Sequence, residues 1–265
     1  MNRDLAFAHH LADVADAMTL TRFRAADLRV ETKLDATPVT EVDRAVEAAL
    51  RDRISSERPG EAVVGEEFGE EGGGACRWIL DPIDGTKNYV RGIPVYATLI
   101  ALERDGEIVV GVASAPALGR RWWAARGVGA FADGRAVRVS TVETLEDAML
   151  CYTGALGFER IGLGEQFLAL ARRCWRNRGF GDFWQHVLVA EGSADVAVEP
   201  QVSLWDLAAL KVIVEEAGGR FTDLSGASTP AGGSAVSTNG RLHEDVLAIV
   251  GTAQPEEVTT VALEP

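Results

Sequence analysis

The sequence predicts a mixed α/β protein, of the α+β kind, with two closely packed halves that divide near residue 140. Residues 1–140 combine two amphipathic helical segments with a run of strand-like segments, which predicts helices packed on a large antiparallel sheet. Residues 141–265 alternate helical and strand-like segments, which predicts a second α/β half. A length of 265 residues suits one large domain or two small ones.

Two helices are predicted at the start of the chain. Residues 4–26 carry apolar residues at helical spacing. The second helix is clearer, because "TEVDRAVEAALRDRI" at 40–54 places its apolar residues on one stripe. Thr40 is the expected N-cap of this helix, and "RPG" at 58–60 ends it.

Strand-like segments follow the helices. "EAVVGEE" (61–67) and "RWILD" (77–81) each end in acidic residues, and the second strand should end at Asp81. The segment "VYATLIALERDGEIVVGVASAP" (95–116) contains Asp105-Gly106, a strong hairpin signal. "RRWWAARGVGAFADGRAVRVS" (120–140) predicts a further antiparallel meander.

The second half of the chain alternates between the two patterns. Gly-Gly at 218–219 should close its longest helix. The predicted segments are a helix at 164–176, a short strand and turn at 178–182, a helix at 183–192, a strand at 195–200, a helix at 204–219, two short strands at 220–224 and 234–239, and a last helix from about His243.

Composition excludes several classes of function. The formal charge is −14 and no basic stripe is present, which argues against a nucleic-acid partner and is compatible with cationic ligands or divalent metals. The three cysteines show no CxxC spacing and suit a reducing compartment. The N-terminus does not resemble a signal peptide, and no stretch approaches the ~20 apolar residues of a membrane span. We therefore expect a cytoplasmic protein without a membrane partner.

The stretch "WILDPIDGTKNY" at 78–89 carries the strongest chemical signal. Pro82 lacks an N–H and disfavours a helical conformation at Asp81, so the chain should turn there and bring Asp81 and Asp84 to a common point. Gly85 lets the backbone approach a ligand, and a helical turn from Thr86 would aim amides at an anion. Two carboxylates beside such amides suit divalent cations that bridge to a phosphate.

Each acidic residue also has a purely structural interpretation. Isolated aspartates such as Asp81 and Asp84 usually cap turns. Asp206, in the first turn of the predicted helix at 204–219, and Asp43, in the first turn of the second helix, could simply complement a helix dipole. Glu66 follows a strand and could belong to a solvated loop. Their joint occurrence favours a metal site.

A different phosphatase chemistry is disfavoured by spacing. Haloacid-dehalogenase-type phosphatases also place Asp-Gly-Thr after an apolar strand, but their acidic pair is D-x-D and its first aspartate is the nucleophile. Here the pair is D-x-x-D with an intervening proline. The spacing therefore points away from an aspartyl-phosphate intermediate.

These segments resemble the inositol monophosphatase family. "GEE" at 65–67, "WILDPIDGTKNYVRGIPVYAT" at 78–98 and "WDLAALKVIVEEAGG" at 205–219 occur in the family's order, and the resemblance covers roughly residues 5–250. It implies a layered αβαβα sandwich of the sugar-phosphatase type. It also implies hydrolysis of a small phosphate monoester by metal-activated water, with two to three Mg²⁺ per site, and a homodimer.

The resemblance also implies roles for individual residues. Asp43 and Thr86 would orient and activate water, together with Glu66 as a metal ligand of the catalytic group. The implied metal ligands are Glu66, Asp81, the carbonyl of Ile83, Asp84 and Asp206. The implied phosphate-binding residues are Asp84, Gly85 and Thr86.

Within the family, the likeness is closer to the histidinol-phosphatases of high-GC Gram-positive bacteria. It implies L-histidinol phosphate as substrate, an alcohol part that is cationic, and a place in histidine biosynthesis. Glu199 matches a contact to the organic part of the substrate, and Arg178, Asp182 and Phe183 are candidates for the specificity wall. His186, on an apolar helix, is expected to be structural.

Two alternatives stay open at the level of sequence. The first is an inositol-1-monophosphatase or another small sugar or nucleotide phosphatase of the same family. The second, from a different class, is a catalytically silent protein that binds metal or phosphate. The pair Asp43 and Thr86 favours an enzyme, because metal binding alone does not need it.

Overall fold

The helices and strands of this computed structural model are given for residues 3–33 and 37–252, the part of the chain that the structure describes. The helices are α1 (Arg3–Arg22), α2 (Glu41–Glu57), α3 (Thr86–Val90), α4 (Ala155–Arg160), α5 (Gly164–Arg173), α6 (Asp182–Ala190), α7 (Leu204–Glu216) and α8 (His243–Val250). The strands up to residue 136 are β1 (Val30–Thr32), β2 (Pro38–Thr40), β3 (Ala62–Gly65), β4 (Gly69–Glu71), β5 (Cys76–Asp84), β6 (Ala97–Arg104), β7 (Glu107–Ala115), β8 (Arg120–Ala125), β9 (Gly129–Ala132) and β10 (Arg135–Ala136). The later strands are β11 (Met149–Tyr152), β12 (Arg176–Arg178), β13 (Val196–Glu199), β14 (Arg220–Thr222) and β15 (Ala235–Thr238).

The elements stack as five layers, which confirms the predicted αβαβα sandwich. Helices α1 and α2 cover one face of an eight-stranded sheet of order β10-β9-β8-β7-β6-β5-β3-β4. Helices α6 and α7 cover its other face and also pack against a five-stranded sheet of order β12-β11-β13-β15-β14. Helices α4, α5 and α8 form the last layer. The division of the chain near residue 140 stays a prediction.

The sequence predicts that the large sheet is antiparallel, but one pair of its strands is parallel. Strands β3 and β5 pair in parallel, because β4 turns the chain back after β3 and β5 then runs in the direction of β3. The remaining pairs of this sheet are antiparallel. The hairpin at Asp105-Gly106 is confirmed, with positive φ at both residues.

Several element boundaries differ from those predicted. Helix α1 ends at Arg22, α5 ends at Arg173, and the strand predicted within 178–182 lies earlier, as β12. Helix α4 has only six residues and gives no periodic signal of its own. The N-cap at Thr40 is confirmed as a full capping box with Asp43.

Strand β5 does not end at Asp81 but continues to Asp84, with an irregularity between them. Asp81 pairs with Leu99 and Asp84 with Ala97, so three steps along β5 match two steps along β6. The extra residue is a β-bulge. Ile79 faces the α7 side and Ile83 faces the α1–α2 side, although residues four apart in a regular strand share a face. After the bulge, side chains of β5 therefore point to the opposite face of the sheet from the one that a regular strand would give them.

Helix α7 packs directly against β7 at Gly111. A Cβ on Gly111 would come within 2.4 Å of the Ala209 carbonyl oxygen. The absence of a side chain at Gly111 lets α7 approach, and its first turn carries Asp206 toward the end of β5.

His243 is fully buried, with Nε2 2.9 Å from Thr222 Oγ1 and Nδ1 3.0 Å from Thr238 Oγ1. Burial lowers the pKa of His243 to about 4. An unfolded histidine titrates near 6.5, so between pH 6.5 and 4 the unfolded chain binds the extra proton and stability falls as the pH falls.

We compare the free energy of unfolding of the wild type with that of His243→Asn. The difference between the two proteins should be smaller at pH 5 than at pH 7 by about 2 kcal/mol. Urea unfolding at the two pH values measures this difference. A difference that does not change with pH would contradict the buried neutral imidazole.

Candidate active site

Three carboxylates meet where β5 ends beside the first turn of α7. Asp81, Asp84 and Asp206 each place one oxygen within 4.8 Å of the others. Asp81 and Asp84 come from either side of the β-bulge, and Asp206 is the N3 residue of a capping box with Ser203, whose N–H it accepts at 2.8 Å. Such a set of oxygens suits a hard divalent cation.

Burial dominates the electrostatics of this cluster. Burial, followed by the neighbouring carboxylates, raises the pKa of Asp81 and of Asp84 well above the ordinary value. Burial also raises the pKa of Asp206 to about 6. Asp81 and Asp84 are buried and Asp206 is half-buried. Carboxylates this close repel one another unless protons or a cation neutralise them, so the residues present fit a bound metal ion.

Backbone contacts orient these acids. Asp81 Oδ1 accepts the N–H of Ile83 at 2.9 Å, and Asp84 Oδ2 accepts the N–H of Phe183 at 2.6 Å. The second contact ties Asp84 to the start of α6. Thr86 Oγ1 lies 2.9 Å from the carbonyl oxygen of Ile83.

Asp43 and Thr86, which come from different elements, are brought together beside the cluster. Thr86 Oγ1 lies 3.2 Å from Asp43 Oδ1. The other oxygen of Asp43 accepts the backbone N–H of Thr40 at 2.8 Å, which fixes the carboxylate. Burial raises the pKa of Asp43 to about 6, a value that suits a group exchanging protons near neutral pH.

Glu66 lies beside the cluster and is held by a residue that sequence reasoning missed. Lys33 Nζ lies 2.7 Å from Glu66 and 2.6 Å from Glu67. Although burial lowers it, the pKa of Lys33 is raised overall by its hydrogen bonds to the two glutamates. Burial raises the pKa of Glu66. Nothing in the sequence around Lys33 points to this contact.

Glu47 was also missed, and it supports the turn after β3. It is fully buried, and its carboxylate accepts the N–H groups of Glu67 at 2.7 Å and Phe68 at 3.2 Å. A signal was present, because Glu47 lies one turn after Asp43 on a helix face that is otherwise apolar.

The cleft above the cluster has a volume of about 410 Å³, enough for a small phosphate ester. Residues Glu66, Asp84, Gly85, Thr86, Asp182, Glu199 and Asp206 border it. Gly85 has a φ of 82°, and a Cβ there would lie 3.1 Å from the Val95 carbonyl oxygen, so a glycine is required.

Of the three candidates for the specificity wall, Asp182 and Phe183 border the cleft. Asp182 has a φ of 50°, a strained conformation for a non-glycine residue, and accepts Asn88 Nδ2 at 3.0 Å. Burial raises its pKa to about 6. The ring of Phe183 is fully buried against Trp122. Arg178 is exposed on β12 and is not among the described residues that border the cleft.

Comparisons with known proteins agree with this geometry. A family model described as "Inositol monophosphatase family" matches residues 1–254. The histidinol-phosphatase of Mycobacterium tuberculosis is 56% identical over 250 residues, which cover 92% of this chain and 96% of that protein. The histidinol-phosphatase of Streptomyces coelicolor is 54% identical, with 92% and 95% covered. The structure of a Thermotoga maritima IMPase superposes with a TM-score of 0.86 at 32% identity, covering 94% of this chain and 97% of that one.

Proposed function

The chain belongs to the inositol monophosphatase family, and on that premise we propose that it is a Mg²⁺-dependent phosphomonoesterase that hydrolyses L-histidinol phosphate to L-histidinol and phosphate in histidine biosynthesis. The observation that carries the proposal is the cluster of Asp81, Asp84 and Asp206 beside the hydrogen-bonded pair Asp43 and Thr86. The names of the two histidinol-phosphatases, at 56% and 54% identity, support the choice of substrate.

Each residue of the cleft has a role in this proposal. Two to three Mg²⁺ ions, held by Glu66, Asp81, Asp84, Asp206 and the Ile83 carbonyl, would supply charge neutralisation and an acidified water. Thr86 orients the attacking water through its hydroxyl oxygen, and Asp43, with a pKa of about 6, accepts a proton through that hydroxyl. Asp84 and the backbone of Gly85 and Thr86 position the phosphate.

The acidic rim of the cleft favours a cationic alcohol. Asp182 and Glu199 both border the cleft and are close enough for the charge of Glu199 to raise the pKa of Asp182. An ammonium group on the substrate would neutralise this pair.

We also propose a cytoplasmic homodimer. The three cysteines, all free, support the compartment, and the family resemblance supports the dimer. None of the helices within the described residues has the length and apolarity needed to cross a bilayer.

A substrate panel tests the proposal. Phosphate release is measured with L-histidinol phosphate, myo-inositol 1-phosphate, fructose 1,6-bisphosphate and 3′-phosphoadenosine 5′-phosphate under identical conditions with Mg²⁺. We expect kcat/KM for L-histidinol phosphate to exceed the others by at least ~10-fold, because only this ester brings a cation to the acidic rim. A preference for inositol phosphate would instead support the alternative that the Thermotoga maritima IMPase suggests.

A catalytically silent binding protein is the second candidate. The contact between Thr86 and Asp43 argues against it, because holding a metal requires neither a threonine hydroxyl nor a carboxylate paired with it. Absence of phosphate release with every ester of the panel would favour the silent protein.

A further inference from the structure

Glu199 borders the cleft at the end of β13 and is held by buried polar side chains. The residue is 5% exposed. Oε1 accepts Gln185 Nε2 at 2.5 Å and the hydroxyl of Thr153. Gln185 Nε2 also lies 3.1 Å from Thr153 Oγ1, so these three side chains form one network. Oε1 is therefore committed to the protein, and Oε2 is the oxygen left for another partner.

The imidazole of His186, which is fully buried, lies beside Oε2. His186 Nε2 lies 3.7 Å from Glu199 Oε2, and Nδ1 lies 2.7 Å from Ser237 Oγ. A carboxylate only accepts hydrogen bonds, so the tautomer that uses both nitrogens has its proton on Nε2. Ser237 then donates to Nδ1, and Nε2–H remains 3.7 Å from Glu199 Oε2, beyond hydrogen-bond distance.

This histidine differs from His243, the other fully buried histidine of the described chain. Both nitrogens of His243 have threonine partners within 3.0 Å. His186 Nε2 has no hydrogen-bond partner, and neither has Gln185 Oε1 beside it. Buried polar atoms without partners are costly, and such atoms in a folded protein call for an explanation. Both atoms belong to side chains that lie next to the Glu199 carboxylate, which borders the cleft.

We infer that His186 is a positioning residue that holds the Glu199 carboxylate toward the cleft and so makes the site prefer phosphate esters whose alcohol carries an ammonium group. The inference rests on the proposed function and extends it to a residue that does not itself border the cleft. The imidazole of His186 lies 3.7 Å from Oε2 and limits how far the carboxylate can turn. Without it, the carboxylate would be free to turn away from the position that an ammonium group needs.

Two substitutions of His186 separate positioning from packing. His186→Asn keeps a polar group near Nδ1 for Ser237 but removes the donor near Nε2, whereas His186→Gln places an N–H near Nε2. The matched control is His243→Asn, which alters a histidine of equal burial whose two ring nitrogens both contact threonine hydroxyls. Steady-state kinetics with the Mg²⁺-supplied full chain compare L-histidinol phosphate with myo-inositol 1-phosphate.

We expect His186→Asn to raise KM for L-histidinol phosphate about 10-fold while kcat stays within about 2-fold. The same variant should change kcat/KM for inositol phosphate by less than about 2-fold. His186→Gln should restore most of the discrimination, and His243→Asn should leave the ratio between the two substrates unchanged.

Four outcomes would overturn the inference. His186→Asn could leave the ratio between the substrates unchanged, or His243→Asn could alter it as strongly. If neither His186 variant folds, Glu199→Gln takes their place, and an unchanged ratio in that variant overturns the inference as well. A wild-type protein that shows no preference for the cationic ester overturns the proposed substrate and the inference together, so the two failures are distinguishable.

Discussion

Asp84→Asn should lower phosphate release by at least about 10³-fold while the metal-free protein keeps its fold. The loss follows because removing one charge from the cluster weakens a cation site that supplies several kcal/mol of transition-state stabilisation. The fold should persist because asparagine still offers an oxygen to the Phe183 N–H and removes a carboxylate whose pKa burial raises. Malachite-green phosphate assays and thermal unfolding measure the two effects.

The matched control is Asp245→Asn, which removes an acidic charge from an exposed position of α8. It should leave both turnover and the melting temperature unchanged. Undiminished activity in Asp84→Asn would refute the assignment of this cluster as the catalytic centre. A melting temperature that drops by many degrees would show that Asp84 is needed for the fold.

Addition of Mg²⁺ should stabilise the metal-free protein strongly at pH 7.5 and weakly at pH 5. Burial raises the pKa of Asp206 to about 6, and the pKa values of Asp81 and Asp84 are also raised. Unfolded aspartates titrate near 4, so the folded state binds more protons between pH 4 and 6, and these groups destabilise the fold as the pH rises through that window. Mg²⁺ replaces the missing protons at pH 7.5, whereas at pH 5 the protons compete with it.

We expect a rise in melting temperature of about 5–10 °C at pH 7.5 with Mg²⁺ in roughly 100-fold excess over its dissociation constant. Differential scanning fluorimetry at both pH values measures it, with KCl at equal ionic strength as the control. A shift of equal size at both pH values would contradict the linkage between protons and metal at the cluster.

Much of the candidate site could be predicted because its residues are dense in one short stretch. Six consecutive positions contain Asp81, Asp84, Gly85 and Thr86. Their spacing along the chain can be read from the sequence alone. Asp206 could be identified as a candidate because it lies in the first turn of a helix that the sequence predicts clearly. The structure adds that these acids meet, with oxygens within 4.8 Å.

What the sequence could not predict depends on contacts between distant segments. Lys33 contacts Glu66 across 33 positions, and neither neighbourhood carries a pattern that links them. His186 has the apolar surroundings of a structural residue, and its relation to Glu199 depends on how α6 crosses β13. The positions of the Arg178 and Phe183 side chains also depend on packing. Arg178 is exposed to solvent, whereas Phe183 lies in the core.

The bulge in β5 makes this stretch sensitive to its length as well as to its composition. Side chains three residues apart in a regular strand point to opposite faces, so D-x-x-D brings both acids together only because one extra residue interrupts the pairing. Pro82 has no N–H with which to rejoin the ladder. The loss or gain of a single residue between Asp81 and Asp84 would leave every side chain chemically intact and still separate the acids. Natural variation here should therefore exchange residues but not insert or delete them.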